Sequence, residues 1–312
     1  MTIIKPIFSR HETFHPRFGW LKKGFDRACN DTSVFLKDDA PVILGVGKNM
    51  ARAIRYWCTA FKVLGEGTTS NGKQARIDIP TEFGKKLIGN DGWDPYLEDT
   101  ASLWLLHWKL LTSPCYAAAW YFTFCVFRKV EFTQEELLRS LKEFNEQNFP
   151  TTAVVDSSLI KDINCLLRMY VPHFASKGPI EDTLNCPFNE LNIIMPAGDS
   201  KYFAFNVGSK SNLPEEIIVS ACLKFASNHG NDAKTFSISR LLYDVSSPGL
   251  AFRLTENALC SAIEKVASKF DEITLSETAG LIQFSYTKDP GILSEKILEI
   301  YYQNKQSCVA IL

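Results

Sequence analysis

Apolar and polar positions recur with helical period most clearly in residues 49–64. Apolar residues three or four positions apart form one side of a predicted helix there. They are Met50, Ile54, Trp57, Phe61 and Leu64. A stripe of this kind predicts a helix that buries one side in a protein core.

The same helix carries a basic stripe, formed by Lys48, Arg52, Arg55, Thr59 and Lys62. Each member precedes an apolar residue of the first set by two positions. Two residues correspond to about 200° of rotation around a helix, so the stripes lie on opposite sides. The pattern predicts a helix with one side for a core and the other for an anion.

The flanking elements predict a winged helix-turn-helix over residues 38–79. Asp38 or Asp39 can cap a short first helix, and the glycines of residues 45–47 allow a tight turn. Asn49 is the expected N-cap of the long helix. Residues 70–73 then form a hairpin signal, and residues 76–79 alternate as a strand does.

Further helices and small hairpins are predicted downstream, so the expected fold class is mainly α with small β hairpins (α+β). Residues 91–175 read as helical, with a capping box at Thr133 and Glu136. Glycine and proline recur in residues 177–199, which indicates a boundary. Residues 214–286 repeat the order helix, turn, helix and hairpin, which is the order expected of a second winged helix. We therefore expect a DNA-binding winged helix in residues 1–90, a helical domain in 91–175 and a C-terminal α+β domain in 176–312.

Composition places the chain among soluble proteins. Its hydrophobic fraction is 46%, and no apolar run reaches the roughly 18 residues of a membrane span. No signal peptide is evident at the start of the chain. Nine cysteines without paired spacing indicate reduced thiols. We expect a cytoplasmic protein that does not associate with membranes.

Charge is divided unevenly along the chain. Residues 1–90 hold 15 of the 34 Lys and Arg residues but only 8 of the 35 Asp and Glu residues. The remaining residues hold 19 basic and 27 acidic side chains, so a basic head precedes an acidic body. This asymmetry favours a polyanion as the partner of the head and proteins as partners of the body.

Two short motifs suggest chemistry but lack the required context. His11 and His15 stand at the spacing of zinc proteases, which place both imidazoles on a helix. Pro16 disfavours helical torsions at His15, and no third ligand follows, so we expect His11 and Glu12 to be hydrogen-bonded structurally. Lys48 follows two glycines, but the spacing departs from that of a phosphate-binding loop. No metal, cofactor or catalytic residue is therefore predicted, although a zinc-dependent hydrolase remains an alternative.

A nucleic-acid contact is the stronger prediction. The expected DNA-binding residues are Lys48, Asn49, Arg52, Arg55, Thr59 and Lys62 on the helix, with Lys73 and Arg76 on the wing. Arg52 and Arg55 are the best candidates for guanine edges in the major groove. The alternative interpretation is a solvated basic face on an ordinary helical domain.

Several segments resemble a bacterial family of unknown function. They include residues 8–14, 17–24, 44–50, 52–57, 92–99, 167–170 and 182–187. The genes of that family lie beside a phosphoadenosine-phosphosulfate-reductase-like gene in DNA sulfur-modification or phage-defence clusters. In this family the His11-Glu12 pair is general and a second histidine at position 15 is not, which weakens the zinc alternative.

The resemblance and the basic helix together favour a DNA-binding accessory protein of a DNA modification system such as phosphorothioation. Double-stranded DNA and the phosphoadenosine-phosphosulfate-reductase-like protein are its expected partners, and that protein would handle the sulfur-transfer chemistry. A protein-interaction scaffold that never contacts DNA is the alternative from another class.

Overall fold

Helices alternate with small antiparallel sheets in the computed structural model, which describes residues 3–68, 76–172, 186–198, 201–229 and 233–309. The helices are α1 Trp20–Asn30, α2 Ala40–Leu44, α3 Lys48–Ala60, α4 Glu82–Ile88, α5 Thr100–Leu111, α6 Ala118–Tyr121, α7 Gln134–Asn148, α8 Asp156–Tyr170, α9 Glu215–His229, α10 Ile238–Tyr243, α11 Pro248–Ala251, α12 Glu256–Ala267 and α13 Pro290–Val309. The strands are β1 Leu64–Thr68, β2 Arg76–Pro80, β3 Glu131–Thr133, β4 Ile194–Ala197, β5 Tyr202–Phe205, β6 Thr235–Ser237, β7 Ile273–Thr278 and β8 Leu281–Tyr286. The predicted α+β class is confirmed.

The strands form sheets of a recurring design. β1 and β2 make a two-stranded hairpin, whereas the other sheets have the orders β3-β5-β4 and β6-β8-β7. In both three-stranded sheets, a short strand precedes the helices and pairs with the second strand of the following hairpin. The C-terminal order of helix, turn, helix and hairpin agrees with the sequence pattern.

The central sheet contains a strand that the sequence pattern missed. β3 is three residues long, too short for a period-2 pattern, and it lies in a region predicted to be helical. It pairs with β5, which belongs to the predicted C-terminal domain. Part of the predicted boundary, residues 177–185 and 199, lies outside the described residues. The division into three domains stays a prediction.

The core is one cluster of buried apolar side chains that extends from Trp20 in α1 to Tyr302 in α13. Helix α5 lies within it and is buried on nearly every side, which explains why its sequence is apolar all round. None of the helices in the described part of the chain is long and apolar enough to span a bilayer. The eight cysteines that the structure describes are free thiols.

Helix α3 differs at both ends from the predicted helix of residues 49–64. It begins at Lys48, with Gly47 rather than Asn49 at the N-cap, and it ends at Ala60. Lys62 has a left-handed backbone (φ 62°), and Leu64 begins β1. The Thr81 hydroxyl also donates to the carbonyl oxygen of Lys62 at 2.6 Å. Tertiary contacts thus turn the chain where periodicity alone predicted one more helical turn.

A buried histidine joins three helices of the core. His107 in α5 has its Nδ1 2.7 Å from the Tyr170 hydroxyl of α8 and its Nε2 2.9 Å from the carbonyl oxygen of Ala251 in α11. The carbonyl requires a proton on Nε2, so Nδ1 accepts from the tyrosine. Burial lowers the pKa of His107 to about 4. The imidazole is therefore neutral at neutral pH.

This histidine predicts loss of stability in mild acid. Between pH 6.5, the ordinary pKa, and about 4, the unfolded chain binds a proton at His107 that the folded chain rejects. Stability is therefore full above this window and falls as the pH decreases through it, by at most about 3 kcal/mol. Urea denaturation at several pH values measures the effect. His107→Gln should have a weaker pH dependence in this window, and an unchanged dependence would contradict the assignment.

Candidate nucleic-acid interface

A groove of about 880 Å³ runs along the polar side of α3. Its floor is the helix itself, and the N-terminal strap (residues 3–16) and the region of residues 35–41 lie beside it. The hairpin β1–β2 contributes to the lining as well. The charged residues that line the groove are Arg10, Glu12, Lys37, Asp38, Lys48, Arg52, Arg55, Glu66 and Asp78.

The polar side of α3 faces the groove because the opposite side of the helix packs in the core. Ile54, Trp57 and Phe61 are 0% exposed, and the indole nitrogen of Trp57 donates to the carbonyl oxygen of Phe14 in the strap at 2.9 Å. The strap also pairs with the chain after α5, where the Lys5 amide donates to the carbonyl oxygen of Cys115 at 2.8 Å. These contacts fix both the helix and the strap beside it.

Lys48, Asn49 and Arg52 are exposed on the first turns of α3. The Arg52 side chain is 56% exposed, and its Nη1 lies 3.7 Å from Oε1 of Glu12. An exposed ion pair at this distance contributes little and is screened by salt. The N-cap of α3 is a glycine without a side-chain hydrogen bond, so backbone amides at this end are open to an anion.

Arg55 is held more firmly than Arg52. Its Nε lies 2.9 Å from Oδ2 and 3.1 Å from Oδ1 of Asp78 in β2, and the Asp78 side chain is only 3% exposed. The Arg55 side chain is 30% exposed and lines the groove. This arginine is therefore oriented by the hairpin but still reaches the groove.

Two members of the predicted basic stripe have local roles. The Thr59 hydroxyl lines the groove but donates to the Arg55 carbonyl oxygen at 3.1 Å. The Lys62 ammonium donates to the carbonyl oxygens of Lys109 and Thr112 and to the Thr112 hydroxyl, at the end of α5. Burial lowers the pKa of Lys62 to about 7. Grouping Lys62 with the exposed stripe is therefore wrong, because the helix ends before it and its side chain caps α5.

The predicted wing residues stay predictions. Lys73 lies outside the described residues. Arg76 begins β2, and its backbone pairs with that of Thr68 in β1.

The zinc-protease string forms a turn, not a helix. Glu12 and Thr13 have positive φ values of 50° and 68°. The Thr13 amide donates to Nδ1 of His11 at 3.1 Å, so Nε2 carries the proton and donates to Oδ1 of Asp162 at 2.7 Å. His11 is therefore buried and hydrogen-bonded, as its expected structural role requires. The zinc-hydrolase alternative needs a helix that this segment does not form.

Asp162 in α8 is a partner that sequence reasoning missed. It lies 151 residues from His11 and also accepts from the Ser9 amide at 2.7 Å. Burial raises the pKa of Asp162, and the His11 hydrogen bond opposes that rise. Asp78 was missed as well, because its contact with Arg55 depends on where the hairpin β1–β2 lies relative to α3. Within the described ranges, no group of three or more His, Cys, Asp and Glu side chains is arranged to hold a metal ion.

Fold and groove together define a helix-rich α+β protein with a polar helix face exposed along a mixed-charge groove. The chain belongs to the DUF4007 family, described as proteins of unknown function, whose model matches residues 8–302. A crystal structure of SspB and a magnesium-ion-bound crystal structure of SspB are each 39% identical to the chain. Each match has a TM-score of 0.91 and covers 97% of this chain and 89% of the SspB chain. No curated protein matches the chain.

The buried His11–Asp162 contact predicts a large loss of stability when one partner is removed. His11→Ala leaves the buried Asp162 carboxylate with the Ser9 amide as its remaining donor, which costs about 1.5–3 kcal/mol of unfolding free energy. Urea denaturation of His11→Ala, Asp162→Ala and the double variant measures the coupling. We expect the double variant to be less destabilised than the sum of the two single changes, and strictly additive effects would contradict the contact.

Proposed function

We propose that this protein is a DNA-binding accessory component of a DNA modification or phage-defence system, of the sulfur-modifying kind. In this proposal α3 enters the major groove of duplex DNA, and α2, α3 and the hairpin β1–β2 act as a winged helix-turn-helix. The observation that carries the proposal is the exposed polar side of α3, where Lys48 and Arg52 stand opposite an apolar side whose Ile54 and Trp57 are fully buried.

The geometry of α3 supports contact with a phosphate-bearing groove. The B-DNA major groove is about 12 Å wide and admits an α-helix. Lys48 and the open backbone amides at the N-terminus of α3 are suited to a backbone phosphate, and Arg52, one turn later, to a phosphate or a base edge. Family membership and the likeness to SspB agree with the sulfur-modification context that the sequence resemblance implies.

The mixed charge of the groove bears on the kind of contact. Glu12, Glu66 and Asp78 line the same surface as the basic residues. Carboxylates beside a phosphate repel it, so productive binding must place DNA against a few oriented donors rather than a uniform basic patch. This arrangement favours discrimination between DNA sites over strong nonspecific affinity.

Removal of the exposed donors should weaken DNA binding. The double variant Lys48→Ala/Arg52→Ala loses two phosphate or base contacts, so its affinity for duplex DNA should fall about tenfold or more at moderate salt. The slope of log affinity against log salt should also decrease by about two if both contact phosphates. Fluorescence anisotropy across a salt gradient measures both quantities.

A matched control removes two lysines that do not line the groove. Lys129 and Lys142 are exposed and paired with Glu136 and Asp156 respectively. Lys129→Ala/Lys142→Ala removes the same net charge and should retain near-wild-type affinity. Equal losses in the two double variants would mean that net charge, and not α3, governs binding.

The proposal assigns recruitment of a sulfurtransferase-like enzyme to the acidic body of the chain. The proposed partner is the phosphoadenosine-phosphosulfate-reductase-like protein whose gene lies beside those of the family. Helix α12 occupies the place of α3 in its own helix–turn–helix–hairpin order, but it exposes Glu256 and Glu264 in place of arginines, and its Lys265 is paired with Glu215. This surface, whose lysine is already paired, suits a protein contact better than a contact with DNA.

Helix α12 also supports the alternative, a scaffold that binds the enzyme without binding DNA. Nuclease-treated co-purification should retain the enzyme on the wild-type chain, and Glu256→Lys/Glu264→Lys should reduce retention several-fold because it reverses the charge of the contact. Glu143→Lys/Glu146→Lys, on the exposed side of α7, is the matched control. If the wild-type chain retains the enzyme but binds no DNA at any salt concentration, the scaffold alternative is favoured.

A further inference from the structure

Arg55 and Asp78 form a contact that differs in kind from the Arg52–Glu12 ion pair. Asp78 approaches Nε of the guanidinium with both carboxylate oxygens, at 2.9 and 3.1 Å. Neither terminal nitrogen of Arg55 has a hydrogen-bond partner among the residues that the structure describes. The Arg55 side chain nevertheless lines the groove.

Asp78 is itself fixed from the backbone side. Its amide donates to the carbonyl oxygen of Thr32 at 3.0 Å, and in the hairpin it pairs with Glu66 of β1. The carboxylate is therefore part of a rigid strand and is shielded from solvent. An arginine held by such a carboxylate loses less conformational freedom when it binds than an exposed arginine does.

We infer that Asp78 is a positioning residue, which holds Arg55 so that its two terminal nitrogens face one acceptor group with two adjacent acceptor atoms. This inference rests on the proposed function of α3. Two groups on DNA have that chemistry, namely the phosphate oxygens and the O6 and N7 atoms of guanine. Lys48 and Arg52 contribute exposed positive charge, whereas Arg55 contributes a guanidinium group that is held in one orientation.

The effect of neutralising Asp78 has opposite signs under the two possible roles. If the carboxylate only repels DNA, Asp78→Asn raises affinity because it removes a negative charge from the groove. If Asp78 positions Arg55, the same variant lowers affinity about tenfold, because the arginine loses its orientation. Glu12→Gln removes another carboxylate from the same groove and should raise or retain affinity.

A double-mutant cycle separates positioning from loss of fold. In an Arg55→Ala background, Asp78→Asn should produce no further loss, because the residue acts only through Arg55. Arg55→Lys keeps the charge but lacks the paired donors, so it should lose as much affinity for DNA as Asp78→Asn does. This variant tests the inference independently if Asp78→Asn proves to be unstable. Thermal denaturation of each variant identifies those that fold. An Arg55→Lys variant with wild-type affinity would overturn the inference.

The two acceptor groups are distinguished by the DNA probe. Alternating dG-dC duplexes are compared with the same duplexes that contain 7-deazaguanine, which lacks N7. If Arg55 contacts guanine, the modification weakens DNA binding by the wild-type chain but leaves the affinity of the Arg55→Lys variant unchanged. If Arg55 contacts phosphate, the modification has little effect and Arg55→Ala, which removes the charge, reduces the salt slope by about one. Either result supports the positioning role of Asp78, because both require oriented terminal nitrogens.

Failure of the proposed function and failure of this inference give different results. If the wild-type chain shows no salt-dependent binding to any duplex, the proposed function fails and the inference fails with it. If the wild-type chain binds and Asp78→Asn binds equally or more tightly, DNA binding stands and the positioning role is overturned.

Discussion

The burial of Trp57 is the constraint on which the arrangement of the N-terminal region depends. Its ring packs against those of His11, Phe61 and Trp120, with centroid distances of 6.2, 5.5 and 5.4 Å. Its indole nitrogen bonds the strap through the Phe14 carbonyl. A side chain of this size in the centre of α3 fixes the rotation of the helix about its axis. The polar side of α3 must then face solvent, and the strap lies beside it.

The groove that results combines two kinds of arginine. Arg52 is exposed and loosely paired with Glu12, as exposed arginines usually are. Arg55 is oriented by a buried carboxylate from a different element of the fold. A surface built only of the first kind attracts any polyanion, whereas oriented donors among carboxylates favour particular acceptors. Under the proposed function, the oriented Arg55 therefore favours selective binding, which the basic composition of residues 1–90 alone does not imply.

The repeated order of short strand, helices and hairpin shows how one local design serves different surfaces. In the central unit, α8 turns Asp162 inward to hold His11 and the strap, so this helix is used within the protein. In the C-terminal unit, α12 carries exposed glutamates. Of the three helices α3, α8 and α12, α3 is the one that lines a groove with exposed basic residues opposite a buried apolar side. Function in such units follows from the side chains of the helix that precedes the hairpin and not from the order of elements.

The sequence by itself determined the α+β class, the two-sided character of α3 and the helix–hairpin order near the C-terminus, because periodicity depends only on residues close in the chain. It did not determine the end of α3 at Ala60, the three-residue strand β3 or the role of Lys62 at α5, since each depends on distant contacts. The partners Asp78 and Asp162 had no local signal either. Tertiary structure decided these points because a buried charge is stabilised only by the neighbours that folding brings to it.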